Sequence, residues 1–217
     1  KLSEIYKKIN DTVGKEVIKV KKLGMYYTYP YLFVDDFKKI EDEKMYKLCL
    51  AGAIYSDLAF INDDFLDEVS LKNEYEMVFV KDLLVMESVR ILSSMFDKES
   101  KFWDYFYKYN QEFIHSNIAE KNKPINDEYT YEEFRINARG KSAITKIATA
   151  AMGCLTRQYD KINAMEISQD LIAEANQLFD DLVDWKTDLE LKRPSWMINS
   201  IIKDNSIDAE TNIEKIR

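Results

Sequence analysis

The sequence predicts an all-α protein, a single-domain antiparallel helical bundle, and three observations lead there. The 217 residues include only five Gly and three Pro, and neither type occurs between residues 54 and 123. A chain without these turn-makers and helix-breakers favours long helices over sheets joined by tight turns. Apolar residues recur at three- and four-residue intervals over most of the length, the period of a helix face. No repeat, low-complexity run or linker interrupts the pattern, and the length suits one domain with a sizeable core.

The net charge of −8 argues against nucleic acid or an anionic membrane surface as the main partner. No apolar run approaches the roughly 20 residues of a spanning helix, and no signal-peptide pattern opens the chain. Cys49 and Cys154 sit in apolar helical surroundings, as reduced core thiols of a cytoplasmic protein would. The chain opens on Lys1 without a Met and stops at Arg217, so it is read as a trimmed piece of something longer.

Residues 1–22 read as a Lys-rich helix with Leu2, Ile5, Ile9, Val13, Val17 and Val20 on one core-facing side. Gly14-Lys15 has no Gly-rich loop around it and is a poor phosphate-binding candidate. Gly24 to Asp36 is a connection crowded with core aromatics around Pro30. A long helix follows from about Glu41 to Val69, and Lys72-Asn73 marks a turn. Residues 74–97 give the next helix, with Val78, Leu83, Leu84, Met86, Val89, Leu92 and Met95 packing inward. Residues 99–120 give a third, rich in aromatics: Phe102, Trp103, Phe106, Tyr107, Tyr109 and Phe113. Its Glu112-x-x-His115 has the spacing of di-iron bundles, but such a site needs two of these motifs and His115 is the only histidine.

A polar loop with Pro124 leads to a helix over 130–156, basic early (Arg135, Arg139, Lys141) and small later (Ala143, Ala148, Ala150, Ala151, Gly153). That order suits a helix that touches an anion and then lines a cavity; a solvated basic patch followed by tight helix packing is the plain alternative. Residues 160–190 form a further helix ended by Lys192-Arg193-Pro194, and a last helix begins near Ser195.

Two acidic clusters stand out. Asp63-Asp64-Phe65-Leu66-Asp67-Glu68 follows the small, apolar run 51–61, and Gln177, Asp180, Asp181, Asp184 and Asp188 lie on the 160–190 helix. Carboxylates at i, i+1 and i+4 turn toward one side of a helix, where each raises its neighbour's pKa. A solvated acidic face is the common meaning of such a cluster. Two clusters that each end an apolar stretch point instead to a hard divalent cation. Mg²⁺ takes one or two carboxylates and fills its other positions with water and phosphate oxygens.

This pattern resembles the class I isoprenoid synthases over roughly residues 45–200. Asp63-Asp64-x-x-Asp67-Glu68 is similar to the Asp-Asp-x-x-Asp-Glu of squalene and phytoene synthases. Gln177, Asp180, Asp184 and Asp188 resemble their second motif, with Asp180 in place of Asn. Asp180-Asp181-x-x-Asp184 also fits chain-elongating prenyl synthases, and Asp180, Asp184 and Asp188 fit the register of the terpene-cyclase metal triad.

The resemblance implies a bundle of the isoprenoid synthase type with a central cavity, and up to three Mg²⁺ ions bound with diphosphate. Asp63, Asp64, Asp67, Asp180, Asp184 and Asp188 would be the metal ligands. Arg135, Lys141, Lys192, Arg193, Phe60 and Gln177 would bind the prenyl diphosphate. Asp63, Asp67, Asp184 and Arg135 would carry the chemistry, with Phe60, Tyr55, Phe179 and Trp196 as candidate aromatic faces for a carbocation.

No Arg pair follows Asp67, and Phe60 and Ser56 stand where head-to-head synthases have Arg and Tyr, respectively. Arg135 lies where terpene cyclases carry a diphosphate-sensing Arg. The expectation is therefore a terpene synthase acting on one substrate. A prenyltransferase and a non-catalytic helical interaction domain are the alternatives, and a homodimer is compatible with either.

Overall fold

The computed structural model describes residues 28–66, 74–125 and 127–204, and among these the chain is all-helical with no strand. The helix expected at 1–22 and residues Asp67 and Glu68 lie outside the described residues, and Asp63 and Asp64 are described in backbone only. The chain forms two compact units: one ends at Asp104 and takes in Ala148–Ile162, the other comprises Tyr105–Ile147 and the residues from Asn163.

In the first unit a 3₁₀ helix, Tyr29–Asp36, opens with Pro30 at its start, where a missing N–H costs nothing. Pro30 is buried, but Tyr31 and Leu32 are exposed. The aromatics expected in the core here are therefore only partly there, because a short 3₁₀ helix can turn only some of its side chains inward.

Helix α1 spans Asp42–Leu66 and carries Asp42 and Glu43 in its first turn, where carboxylates complement the helix dipole. Its Met45, Leu48, Ile54, Leu58 and Ile61 are buried, and it packs against α2, Glu74–Ser93. The buried stripe of α2 is Met77, Val80, Leu84, Ser88, Ile91 and Leu92, with Ser88 Oγ donating to the Ala51 carbonyl at 3.4 Å.

This corrects the expected inward set. Leu84 and Leu92 are buried, but Val78, Leu83 and Met86 are 44%, 58% and 66% exposed. Helix α2 is apolar on both sides, so a three- to four-residue period fits either face and does not choose between them.

Helix α3, Phe102–Lys121, begins in this unit, with Phe102 stacked on Phe96 at a ring separation of 4.0 Å. Helix α5, Lys146–Thr156, ends at Arg157 with φ 58°. There the Gln158 N–H donates to the Gly153 carbonyl at 2.9 Å, the 6→1 bond of a Schellman turn.

In the second unit α4, Tyr131–Lys141, starts with a capping box. Thr130 Oγ1 accepts from the Glu133 N–H at 3.2 Å, and Glu133 Oε2 accepts from the Thr130 N–H at 2.8 Å. The expected continuous helix over 130–156 is broken here into α4, a 3₁₀ turn Ala143–Thr145, and α5. The break falls at Gly140 and Ser142, residues with weak helix propensity.

Helix α6 runs Tyr159–Glu190 and α7 runs Trp196–Asp204. Phe134, Tyr129 and Ala138 form one core cluster with Leu178 and Trp196 against it, and Leu189, Ile198 and Ile202 form another with Ile125 and Trp185. Lys146 is also buried, at 2% exposure. It pairs with Asp170 and with Glu112, the latter at 3.5 Å.

A Cβ on Gly140 would sit 1.8 Å from Ser116 Oγ and 3.0 Å from the Glu112 carbonyl oxygen. Gly140→Ala should therefore cost about 1–3 kcal/mol, as overpacking does. Urea denaturation checks this as a lower midpoint at unchanged slope.

Candidate functional site

The second acidic motif is described in full, and its geometry follows from helix periodicity. Asp180, Asp184 and Asp188 stand one turn apart along α6, and Asp180 and Asp184 are exposed. Partial burial, then the charge of Asp184, hold the Asp180 carboxyl above its ordinary range, while Lys141 pulls the other way. Burial is also the main force raising Asp188; Arg193 opposes it, and Asp184, Asp181 and Glu120 add to it. Asp180 and Asp188 thus each sense the charge of Asp184, which stands between them on a ladder of like charge.

Two cations approach this ladder, each for a local reason. Lys141 ends α4 and binds Glu120 Oε2 at 2.8 Å. Arg193 follows a Schellman turn in which its N–H donates to the Asp188 carbonyl at 2.7 Å and the Lys192 N–H to the Leu189 carbonyl at 3.2 Å. Lys192 occupies the left-handed position of that turn, with φ 55°. The turn folds Arg193 back beside Asp188, whereas Lys192 is left exposed.

Asp181 departs from the ladder. It is 4% exposed, and its carboxylate accepts from Gln177 Nε2 at 3.0 Å and from the Met197 N–H in the first turn of α7. Burial, as the largest influence, raises its pKa. Gln177, expected to face substrate, is engaged in holding this carboxylate. With Lys141, Glu120, Tyr129 and Trp196, these two residues line a pocket of about 10 Å³, space for about one water molecule and far too small for a prenyl chain.

Arg135 is in contact with acids. Its Nη1 lies 3.0 Å from Glu132 and its Nε 3.4 Å from Glu174, and Glu174 also takes Arg139 Nε at 2.5 Å. Sequence reasoning missed Glu120, Glu174 and the inward role of Asp181. For the two glutamates no local signal exists, since their partners lie 21 and 35 residues away. For Asp181 the apolar neighbours Leu178 and Leu182 were compatible with either side.

The first motif is described only as backbone at the C-terminal end of α1, so its side-chain geometry lies outside the described residues. Phe60, one turn before Asp64, is 43% exposed, and Phe179 is 66% exposed. Trp196 instead packs on Tyr131 and Phe134, with ring separations of 5.4 and 5.5 Å. Cys49 and Cys154 are free thiols, both pushed up to about 11 chiefly by burial.

Among the described residues no group of three or more His, Cys, Asp or Glu side chains could hold a metal ion. No helix among them is long and apolar enough to cross a membrane. No protein-family model, curated protein or solved structure matches the chain.

Proposed function

We propose that this protein is a Mg²⁺-dependent class I terpene synthase that ionises a prenyl diphosphate and releases diphosphate, giving a terpene hydrocarbon or alcohol. The observation that carries the reading is the ladder of Asp180, Asp184 and Asp188 with Lys141 and Arg193 beside it. Repelling, oxygen-only ligands suit a hard cation. One that needs one or two carboxylates, and completes its shell with water and phosphate oxygens, does not require three to converge. One or two of the Asp180, Asp184 and Asp188 carboxylates would hold Mg²⁺ here, and those of Asp63, Asp64 and Asp67 would do so in the first motif. Bound Mg²⁺ supplies Lewis-acid neutralisation of the leaving diphosphate.

The chain's own part is electrostatic. Lys141 and Arg193 offer fixed positive charge where the departing group gains negative charge, which lowers the barrier to C–O cleavage. Arg135 would do so only after exchanging Glu132 or Glu174 for a diphosphate oxygen. An exposed aromatic face such as that of Phe179 would stabilise the allylic cation by about 0.5–2 kcal/mol.

The rival reading, a non-catalytic helical interaction domain, is favoured by the ion pairs that occupy Arg135 and Lys141. Thermal unfolding separates the two. A synthase should gain stability from inorganic diphosphate plus Mg²⁺, but not from either alone, with a shift that grows logarithmically with ligand. Incubation with C10, C15 and C20 prenyl diphosphates should then release hydrocarbon or alcohol. No joint shift and no product would overturn the proposal.

A further inference from the structure

Arg193 lies on a short return of the chain that α6 pins at both ends. At the near end the Lys192 and Arg193 N–H groups donate to the Leu189 and Asp188 carbonyls. At the far end Asp181 accepts from the Met197 N–H in the first turn of α7. Asp181 precedes Asp188 by two turns of α6, about 10 Å at the rise of an α-helix. The chain from Lys192 to Trp196 therefore runs back along α6 and carries Arg193 past the end of the carboxylate ladder.

Asp181 is the directional tie between these two helices. Ile198 and Ile202 also hold α7 to α6, by packing with Leu189, but apolar contact is non-directional and fixes no register. A hydrogen bond to a charged acceptor is shorter and stronger than a neutral one and sets a geometry. Gln177 Nε2, one turn back on α6, donates to Asp181 Oδ1 at 3.0 Å and orients the carboxylate. The side-chain bonds of Asn199 to the Pro124 and Asp127 carbonyls, and of Lys203 to Glu128, run instead to the loop before α4.

We infer that Asp181, oriented by Gln177, is a positioning residue that sets the register of α7 on α6 and so places Arg193 beside Asp188. The inference rests on the synthase reading, in which Arg193 faces the departing diphosphate. It gives the pair Gln177 and Asp181 a part in the site without contact with substrate.

A double-mutant cycle on the full chain tests it, with Mg²⁺ plus inorganic diphosphate as the probe and titration calorimetry as the readout. Arg193→Ala should weaken the joint binding about tenfold, the loss of one hydrogen bond to a charged group. Asp181→Leu should weaken it by a similar factor. The two together should cost no more than either alone, because both remove the same contact. Asp181→Asn removes the same charge but keeps an acceptor for the Met197 N–H, so it should retain most of the parent affinity. Met197→Pro deletes the bond from the donor side, a change that the first turn of a helix accepts. It should reproduce the loss even if Asp181→Leu does not fold. Parent affinity in Asp181→Leu or Met197→Pro would overturn the inference, as would losses that multiply in the double variant or an equal loss in Asp181→Asn. A parent chain that binds no diphosphate with Mg²⁺ would overturn the synthase reading together with it.

Discussion

Asp184→Asn should lower Mg²⁺-dependent turnover by roughly 10²–10³-fold, the range seen when one preorganised electrostatic group is removed from an active site. Each 1.36 kcal/mol of lost transition-state stabilisation is tenfold in rate. The substitution keeps size and polarity and removes one negative charge from the centre of the α6 ladder. Asp63→Asn should behave alike if the first motif holds metal as the proposal requires.

Stability without metal should move the opposite way. Asp180 and Asp188 have carboxyl pKa values raised in the folded protein, first by burial and in part by Asp184. An acid with a raised folded pKa takes up a proton on folding, so its unfavourable contribution sets in as pH rises from the unfolded value through the folded one. Removing Asp184's charge lessens that effect at neutral pH and changes nothing once all the carboxyls are protonated. The variant should therefore match or slightly exceed the parent near pH 7, with the difference closing in acid. Urea denaturation at several pH values checks this, and a Mg²⁺ titration at saturating substrate checks the first part. Full activity in both variants would remove the metal site.

Lys146→Ala should cost about 3 kcal/mol, the low end for breaking a buried ion pair, because it leaves the partly buried Asp170 and Glu112 carboxylates without their cation. Lys146 is 2% exposed and pairs with Asp170 and Glu112, and its ammonium lies 5.7 Å from the ring centre of the fully buried Tyr109. A loss of that size is a large part of the roughly 5–15 kcal/mol that keeps a domain folded. Lys146→Met restores the apolar stem but not the charge, so it should recover little. Lys146→Met combined with Asp170→Leu should recover much more, since an apolar pair can replace a buried ion pair. A denaturation midpoint within error of the parent for Lys146→Ala would show that water, not protein, balances these charges.

The all-helical class was legible because scarce Gly and Pro act locally, and so was the end of α6 at Lys192-Arg193-Pro194. The inner face of α2 was not, because Phe79, Leu83 and Met86 match the helical period as well as Met77, Val80 and Leu84 do. The break between α4 and α5 was signalled only by the weak helix propensity of Gly140 and Ser142, which a reading of 130–156 as one basic-then-small helix passed over. At the candidate site the spacing of Asp180, Asp184 and Asp188 was readable, since one helix supplies all three. The inward turn of Asp181 and the capture of Arg135 by Glu174 depend on neighbours from other helices. A charged residue looks equally available in sequence whether or not the fold gives it a partner.

The first compact unit draws on two stretches of chain that synthesis separates in time. The Lys38 N–H donates to Gln158 Oε1 at 2.6 Å, and Lys161 Nζ donates to the Asp36 carbonyl, across 120 and 125 residues. Helices α1 and α2 leave the ribosome well before the residues that complete their unit. At about 5–20 residues per second the wait lasts several seconds, during which apolar surface meant for Ala148–Ile162 stays open to other chains. Closing so long a loop also slows folding from the denatured state. Yield from a cell should therefore respond to chaperone supply and growth temperature more strongly than the stability of the finished protein would suggest.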